Sequence, residues 1–252
     1  MHLWAFLLGK AIGPPQPLEG PLHSVSFVGR FRENLEAIRA YSGNVKAALE
    51  TGAPPPQPPP GALAEMEQVL SPAVCYHAYR GLQGGTVPSG LEAVWATGKC
   101  FRYESGNLTG LDRLWDFTMQ ELVFIGEAAR VQQAREALML RAAAFAREAG
   151  LAFTLQTAND PFFIDQYAAR AAYQEIFELK YELRLALPHL GRDLAAASFN
   201  YHQDYFGGRF AIAAPSGPAH TACAAFGLER WAYAVACQFG PDPAAWPEAL
   251  RT

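Results

Sequence analysis

The chain has 252 residues, half of them hydrophobic, 12% aromatic and 17% charged, with a formal net charge of −4. That balance supports a sizeable buried core and excludes a charge-rich disordered chain, and the lack of a basic excess argues against a dedicated nucleic-acid binder. Cysteines at 75, 100, 223 and 237 form no C-x-x-C pair and do not read as a secreted disulfide framework.

The first residues, Met1 to Leu8, are apolar, but they lack a basic flank and are interrupted by Gly9-Lys10, so they do not read as a signal peptide. No apolar run reaches about 18 residues, and the expectation is a cytoplasmic protein that does not span a membrane. Residues 13–21 read as loop, and 27–41 show helical spacing through Phe27, Phe31, Leu35, Ile38 and Tyr41. The proline run at 54–60 reads as an irregular surface loop. A short helix over 62–70 stops at Ser71-Pro72, a strand runs from Ala73 to Tyr79, and the glycines and prolines of 82–90 make a loop.

Strands follow near 99–105 and 113–125, then a helix over 127–149 rich in Ala, Arg, Glu and Leu, and a helix over 162–176. In residues 179–187, Leu179, Tyr181, Leu183 and Leu185 alternate with Lys180, Glu182 and Arg184, which is a half-buried strand. Strands near 195–201, 208–214 and 219–226 lead into a last helix over 228–239. Strands and helices do not alternate regularly, so the expected class is α+β with a largely antiparallel sheet flanked by helices. The domain reading is one catalytic unit over 1–252, with 62–240 as its core and 1–60 matching loosely.

The densest chemistry lies in Phe101-Arg102-Tyr103-Glu104 and, after a loop, Arg113-Leu114-Trp115-Asp116-Phe117-Thr118-Met119-Gln120-Glu121. On a strand, residues 113, 117 and 121 leave by one face, and 102 shares a face with 104. Two guanidinium groups, a carboxylate and a flat ring suit a nucleotide: cations for phosphates, ring and carboxylate for a base. Taken singly, each arginine reads as a surface ion pair worth under about 1 kcal/mol, Phe117 as core, and each cysteine as a buried inert thiol.

These segments resemble motif 2 of class II aminoacyl-tRNA synthetases, and Ala225-Phe226-Gly227-Leu228-Glu229-Arg230 resembles motif 3, a strand running into a helix with an arginine at its start. Further segments sharpen the likeness: Val69 to Tyr79, Ala158 to Phe163, Ser198 to Gly207, and Ala219-His220-Thr221-Ala222-Cys223. Together, over roughly residues 60–240, they resemble the amino acid:[carrier protein] ligases, truncated relatives of an archaeal-type seryl-tRNA synthetase.

The resemblance implies activation of a small amino acid, glycine or alanine, by ATP with Mg2+, then transfer to the phosphopantetheine thiol of a carrier protein, with no tRNA partner and as a homodimer. It places Arg102 on the α-phosphate and the substrate carboxylate, Glu104 on the adenine amino group, Arg113 on the outer phosphates, Phe117 under adenine and Arg230 on the γ-phosphate. It makes Cys75, Glu121 and Cys223 ligands of Zn2+, with one position left for the substrate amine. Ser198, Asn200 and His202 line the amino-acid pocket, with individual roles open and a structural histidine an equal alternative. Asn159, Asp160 and Phe162 lie near the pocket or support it, and basic residues such as Arg170 on the helix 162–176 would steer an acidic carrier. Two other outcomes stay in view: a class II-like ligase that aminoacylates a small molecule or peptide, and a catalytically silent regulatory relative.

Overall fold

The computed structural model describes residues 26–27, 44, 47–48, 50–51, 69–102, 110–158 and 179–251. Two short strands, β1 (Ser26–Phe27) and β2 (Val69–Leu70), pair antiparallel ahead of the main body. Helix α1 (Cys75–Gly81) follows, then the long strands β3 (Leu91–Phe101) and β4 (Asp116–Gly126), helix α2 (Ala128–Glu148), β5 (Phe153–Thr157), β6 (Lys180–Leu187) and β7 (Arg192–Gln203). Helix α3 (Tyr205–Phe210), the two-residue strands β8 (Ala213–Ala214) and β9 (Gly217–Pro218), strand β10 (His220–Gly227) and helix α4 (Leu228–Phe239) complete the order. Strands β3, β4, β10, β7, β6 and β5 lie in that spatial order in one sheet, every neighbouring pair antiparallel. The α+β expectation holds.

The two long helices cover one face of this sheet. In α2, Val131, Arg135, Met139, Ala142 and Ala146 recur at helical spacing and are buried. Met139, Ala142 and Ala146 meet Leu183, Leu185, Phe199 and Ala224 of the sheet, together with Ala234 and Val235 of α4. Burying each large aliphatic side chain of this layer contributes roughly 1.5–3 kcal/mol, so it is the main brace behind the strands. The short helices α1 and α3 cover part of the opposite face, where Tyr79, Phe206 and Phe210 pack on Val123, Ile125 and Cys223. The stretch of that face left beside them carries the site.

Five local readings are corrected. Residues from Cys75 to Tyr79 form a helix, not a strand: Cys75 and Tyr79, four apart, both turn onto the sheet, and this outweighs the strand preference of Val, Cys and Tyr. Residues 208–214 are not a strand; α3 occupies the chain to Phe210, and only Ala213–Ala214 pairs. Phe206 and Phe210 define its buried side, and Gly207 lets it approach, because a Cβ there would run into the backbone of Ala219. Strand β3 begins at Leu91, eight residues before the expected start near 99, while Arg113 precedes β4 instead of lying on it. Val69–Leu70, expected at the end of a helix, is a strand. The expected helices over 27–41 and 162–176 and the proline run fall outside the described residues.

Candidate functional site

Antiparallel register brings the first cluster together. On β10, Cys223 faces Val123 of β4, and Ala225 faces Glu121. Cys223 and Glu121 are therefore diagonal neighbours on one sheet face, a separation that long side chains bridge. Helix α1 sits on this face and delivers Cys75 from its first position. One ligand-type atom from each of Cys75, Glu121 and Cys223 lies within 4.8 Å of the others. All three residues are buried, with 5%, 1% and 3% of their surface exposed.

The polar accounting inside this cluster is incomplete without a cation. Glu121 Oε1 accepts the Val74 backbone N–H at 3.1 Å, whereas the buried Oε2 has no hydrogen-bond partner. Leaving a buried charged oxygen unsatisfied costs about 1–3 kcal/mol or more. Burial, then the charge of Cys223, pushes the Glu121 carboxyl up to about 8. The Cys75 thiol is driven well above its ordinary value, first by its hydrogen bond to Cys223 and then by burial; the same bond holds Cys223 well below its own. Two thiols and a carboxylate, converging and dry, form a donor set that fits a zinc ion, which would stabilise all three anions at once.

The neighbouring strand supplies the next wall. Asn200 of β7 faces Cys223 on one side and Lys180 of β6 on the other. Its Nδ2 donates to Ser198 Oγ at 3.2 Å and to Cys223 Sγ at 3.5 Å. The ladder is then interrupted: Tyr201 pairs with Ala222 and Gln203 with Thr221, leaving His202 as the extra residue of a bulge. His202 Nδ1 lies 3.1 Å from Thr221 Oγ1 and 3.4 Å from the Tyr79 hydroxyl, and Nε2 lies 3.9 Å from Cys223 Sγ. Ser198, Asn200 and His202 thus reach one face, beside the two thiols.

Lys180 was missed by sequence reading, which set it with Glu182 and Arg184 on the polar side of a strand. That side is not open water: Lys180 is only 9% exposed. Its Nζ lies 3.5 Å from Glu182 Oε1, and Glu182 accepts from Arg184 at 2.7 Å, which also bonds Asp193 at 2.9 Å. Alternation gave the face but not its cover. The available signal was the register, since Lys180 stands opposite Asn200.

The second cluster lies farther along the same face. Phe117 and Glu121 are four residues apart on β4, so roughly 13 Å separates them with side chains on the same side. Arg102 donates from Nε to the Pro72 carbonyl at 3.1 Å, and its guanidinium carbon lies 5.1 Å from the Phe117 ring centre. Phe117 also lines a cleft with Leu111, Asp112, Leu114, Gly227, Glu229 and Arg230. Arg230, in the first turn of α4, donates from Nε to the Asp112 carbonyl at 3.1 Å and from a terminal nitrogen to the Ala195 carbonyl at 2.9 Å. Both carboxylate oxygens of Glu229 accept the Thr118 N–H at 2.8 Å, pinning the start of α4 to β4. Arg113 is exposed, and because it precedes β4 it does not share a strand face with Phe117 and Glu121 as expected. Glu104, Asn159, Asp160, Phe162 and Arg170 lie outside the described residues.

The antiparallel six-stranded sheet flanked by helices has a class II aminoacyl-tRNA synthetase-like fold. Seryl-tRNA synthetase from M. kandleri, solved with A. aeolicus tRNASec, superposes with a TM-score of 0.67 at 23% identity, covering 90% of this chain and 45% of that one. A seryl-tRNA ligase from Naegleria fowleri bound to AMP gives a TM-score of 0.59 at 14% identity, covering 75% of this chain and 46% of that one. In sequence, the chain is similar to amino acid–[acyl-carrier-protein] ligase 2 of Bradyrhizobium diazoefficiens, at 42% identity over 192 residues, 75% of this chain and 57% of that protein. Ligase 1 of the same organism is 40% identical over 192 residues, 75% of this chain and 58% of that protein. Type-2 serine–tRNA ligase of Methanococcus aeolicus is 30% identical over 190 residues, 73% of this chain and 36% of that protein. The chain thus spans under three fifths of the two ligases it matches. No family model matches it.

Proposed function

We propose that the chain activates a small amino acid, glycine or alanine, with ATP and Mg2+, and passes the aminoacyl group to the phosphopantetheine thiol of a carrier protein. The observation that carries this reading is the pairing of two sites on one sheet face: the Cys75, Glu121 and Cys223 donor set, with a partnerless carboxylate oxygen, and the arginine-bearing cleft beside Phe117.

In the first half-reaction, a carboxylate oxygen of the amino acid attacks the α-phosphorus, and the bond to the departing diphosphate breaks. Arg102 would hold the attacking carboxylate against the α-phosphate and offset charge that develops there. Phe117 would present a ring face to adenine, with Glu104 reading its amino group. Arg113 and Arg230 would grip the outer phosphates, Arg230 from a helix start that already favours anions. A zinc ion held by Cys75, Glu121 and Cys223 would supply one open coordination position for the substrate amine. Ser198 and Asn200, with Lys180 behind them, would keep the pocket short, which suits glycine or alanine. In the second half-reaction, the carrier thiol attacks the activated carbonyl carbon, AMP leaves with the electron pair of the C–O bond, and the thiol proton passes to solvent.

A homodimer in the cytoplasm completes the proposal. Four free thiols suit a reducing compartment, and among the described residues no helix is long and apolar enough to cross a membrane. We read residues 1–252 as a single catalytic domain that works on a carrier and not on tRNA. The test is ATP–diphosphate exchange with each proteinogenic amino acid, followed by charging of a phosphopantetheinylated carrier. Exchange with glycine or alanine and a carrier thioester support the reading. Exchange without carrier charging points to a small-molecule or peptide acceptor, and no exchange with any amino acid removes the enzymatic reading.

A further inference from the structure

The bulge in β7 spends an extra residue on one side chain. His202 has no partner in the ladder, and the next residue, Gln203, takes a left-handed backbone at φ 55. A non-glycine residue holds that conformation only where its surroundings over-determine it, and bulges recur where a side chain must be re-aimed. Here the aim is toward sulfur: His202 Nε2 faces Cys223 Sγ at 3.9 Å.

The contacts of the other ring nitrogen permit the proton to sit on Nε2. Nδ1 meets two hydroxyls, Thr221 Oγ1 at 3.1 Å and Tyr79 at 3.4 Å, each able to donate to it. A neutral imidazole that accepts at Nδ1 has its N–H at Nε2, the atom facing the thiol. The ring cannot swing away easily, because Phe206 packs edge-on at 5.0 Å and Tyr79 at 6.2 Å between ring centres. Asn200 Nδ2 approaches the same sulfur at 3.5 Å. The cluster within mutual ligand distance contains Cys75, Glu121 and Cys223 and not His202, so the imidazole meets this cluster through the Cys223 sulfur.

We propose that His202 is a positioning residue for the metal centre, donating its Nε2–H to the Cys223 thiolate and, together with Asn200, fixing and partly neutralising that sulfur. This rests on the zinc reading of the Cys75, Glu121 and Cys223 cluster. Two thiolates and a carboxylate place three negative charges around a divalent cation. N–H donors on one sulfur withdraw some of that charge, so the cation holds an incoming amine more strongly and the sulfur keeps one orientation.

The test uses the full chain loaded with Co2+ in place of zinc, read by the sulfur-to-cobalt charge-transfer band and by competition with a chelator. His202→Phe keeps a ring against Phe206 and Tyr79 but has no N–H; His202→Gln keeps an amide N–H at similar reach. The Phe variant is expected to bind metal about 10-fold more weakly and to shift the band to lower energy, with the Gln variant closer to the parent. Thr221→Val, which removes a hydroxyl from Nδ1, is expected to move the band the same way by less, and supplies the readout should the Phe variant misfold. Parent-like affinity and band in the Phe and Val variants, or equal losses in Phe and Gln, overturn the role of His202 alone. A parent chain whose cobalt spectrum carries no thiolate band overturns the metal reading, and this one with it.

Discussion

Arg230 at the start of α4 donates to the backbone carbonyl of Asp112, 118 residues earlier in the chain, at 3.1 Å. A second bond, to the Ala195 carbonyl at 2.9 Å, fixes the same guanidinium to β7. The arginine is thus braced by backbone oxygens, which leave its positive charge intact. A guanidinium held in place beside a cleft is suited to a polyphosphate. Arg230→Ala is expected to lower ATP–diphosphate exchange about 100-fold or more while leaving bound metal in place. Exchange kinetics and metal analysis on the same sample check both halves.

The proposed metal ligands should separate from the proposed nucleotide cleft. Cys223→Ser or Glu121→Gln is expected to lose bound zinc and amino-acid activation, yet keep ATP binding, because Phe117 and Glu121 stand four residues apart on β4 and the cleft is built from other residues. Zinc content by elemental analysis and ATP affinity by calorimetry are the two readouts. Equal loss of both ligands would show that the two sites are not independent.

Asp112 links the cleft to β7 at its outer rim, pairing with Arg192 at 2.7 Å. Burial alone pushes its carboxyl upward, but the hydrogen bond and charge of Arg192 outweigh this and hold it below its usual range. A carboxyl depressed in the folded chain adds stability that is complete above its unfolded value, about 3.9, and is lost as pH falls through the lower folded value. Thermal melts from pH 6 downward should therefore fall less steeply for Asp112→Asn than for the parent at the acid end, with the variant less stable near neutrality.

Gly207 is a packing requirement and not a flexible link. Its missing Cβ lets α3 lie against the backbone of Ala219, and α3 carries Phe206 and Phe210 against the Tyr79 side of the site. Gly207→Ala is expected to cost about 2 kcal/mol or more, in the range of overpacked cores, read from the urea midpoint. Gly208→Ala, where nothing lies within 4 Å of the new atom, serves as the control.

Much of this arrangement was legible from residue pattern. The helix α2, read from its Ala, Arg, Glu and Leu content, and the strand-to-helix passage from His220 to Phe239 lie where the sequence placed them. Cys75 to Tyr79 and the Phe-Gly-Gly-Arg-Phe segment of α3 do not. Both are short, carry aromatic residues that favour strands, and are held helical by contacts with distant strands that no local window contains. Lys180 escaped for a related reason: alternation assigns it a face, but only the pairing of β6 with β7 shows that the face is covered and adjoins Asn200. The convergence of Cys75, Glu121 and Cys223 is not encoded in their spacing at all. Resemblance to a family pointed to them, and register explains how they meet.

The most direct measurement is ATP–diphosphate exchange with glycine and alanine against the matching hydroxy acids, before and after zinc is stripped and restored. The expected result is exchange with an amino acid only, lost with the metal and recovered on its return. Exchange that survives complete zinc removal, or that proceeds equally with the hydroxy acid, would contradict selection of the substrate amine by a metal held between Cys75, Glu121 and Cys223.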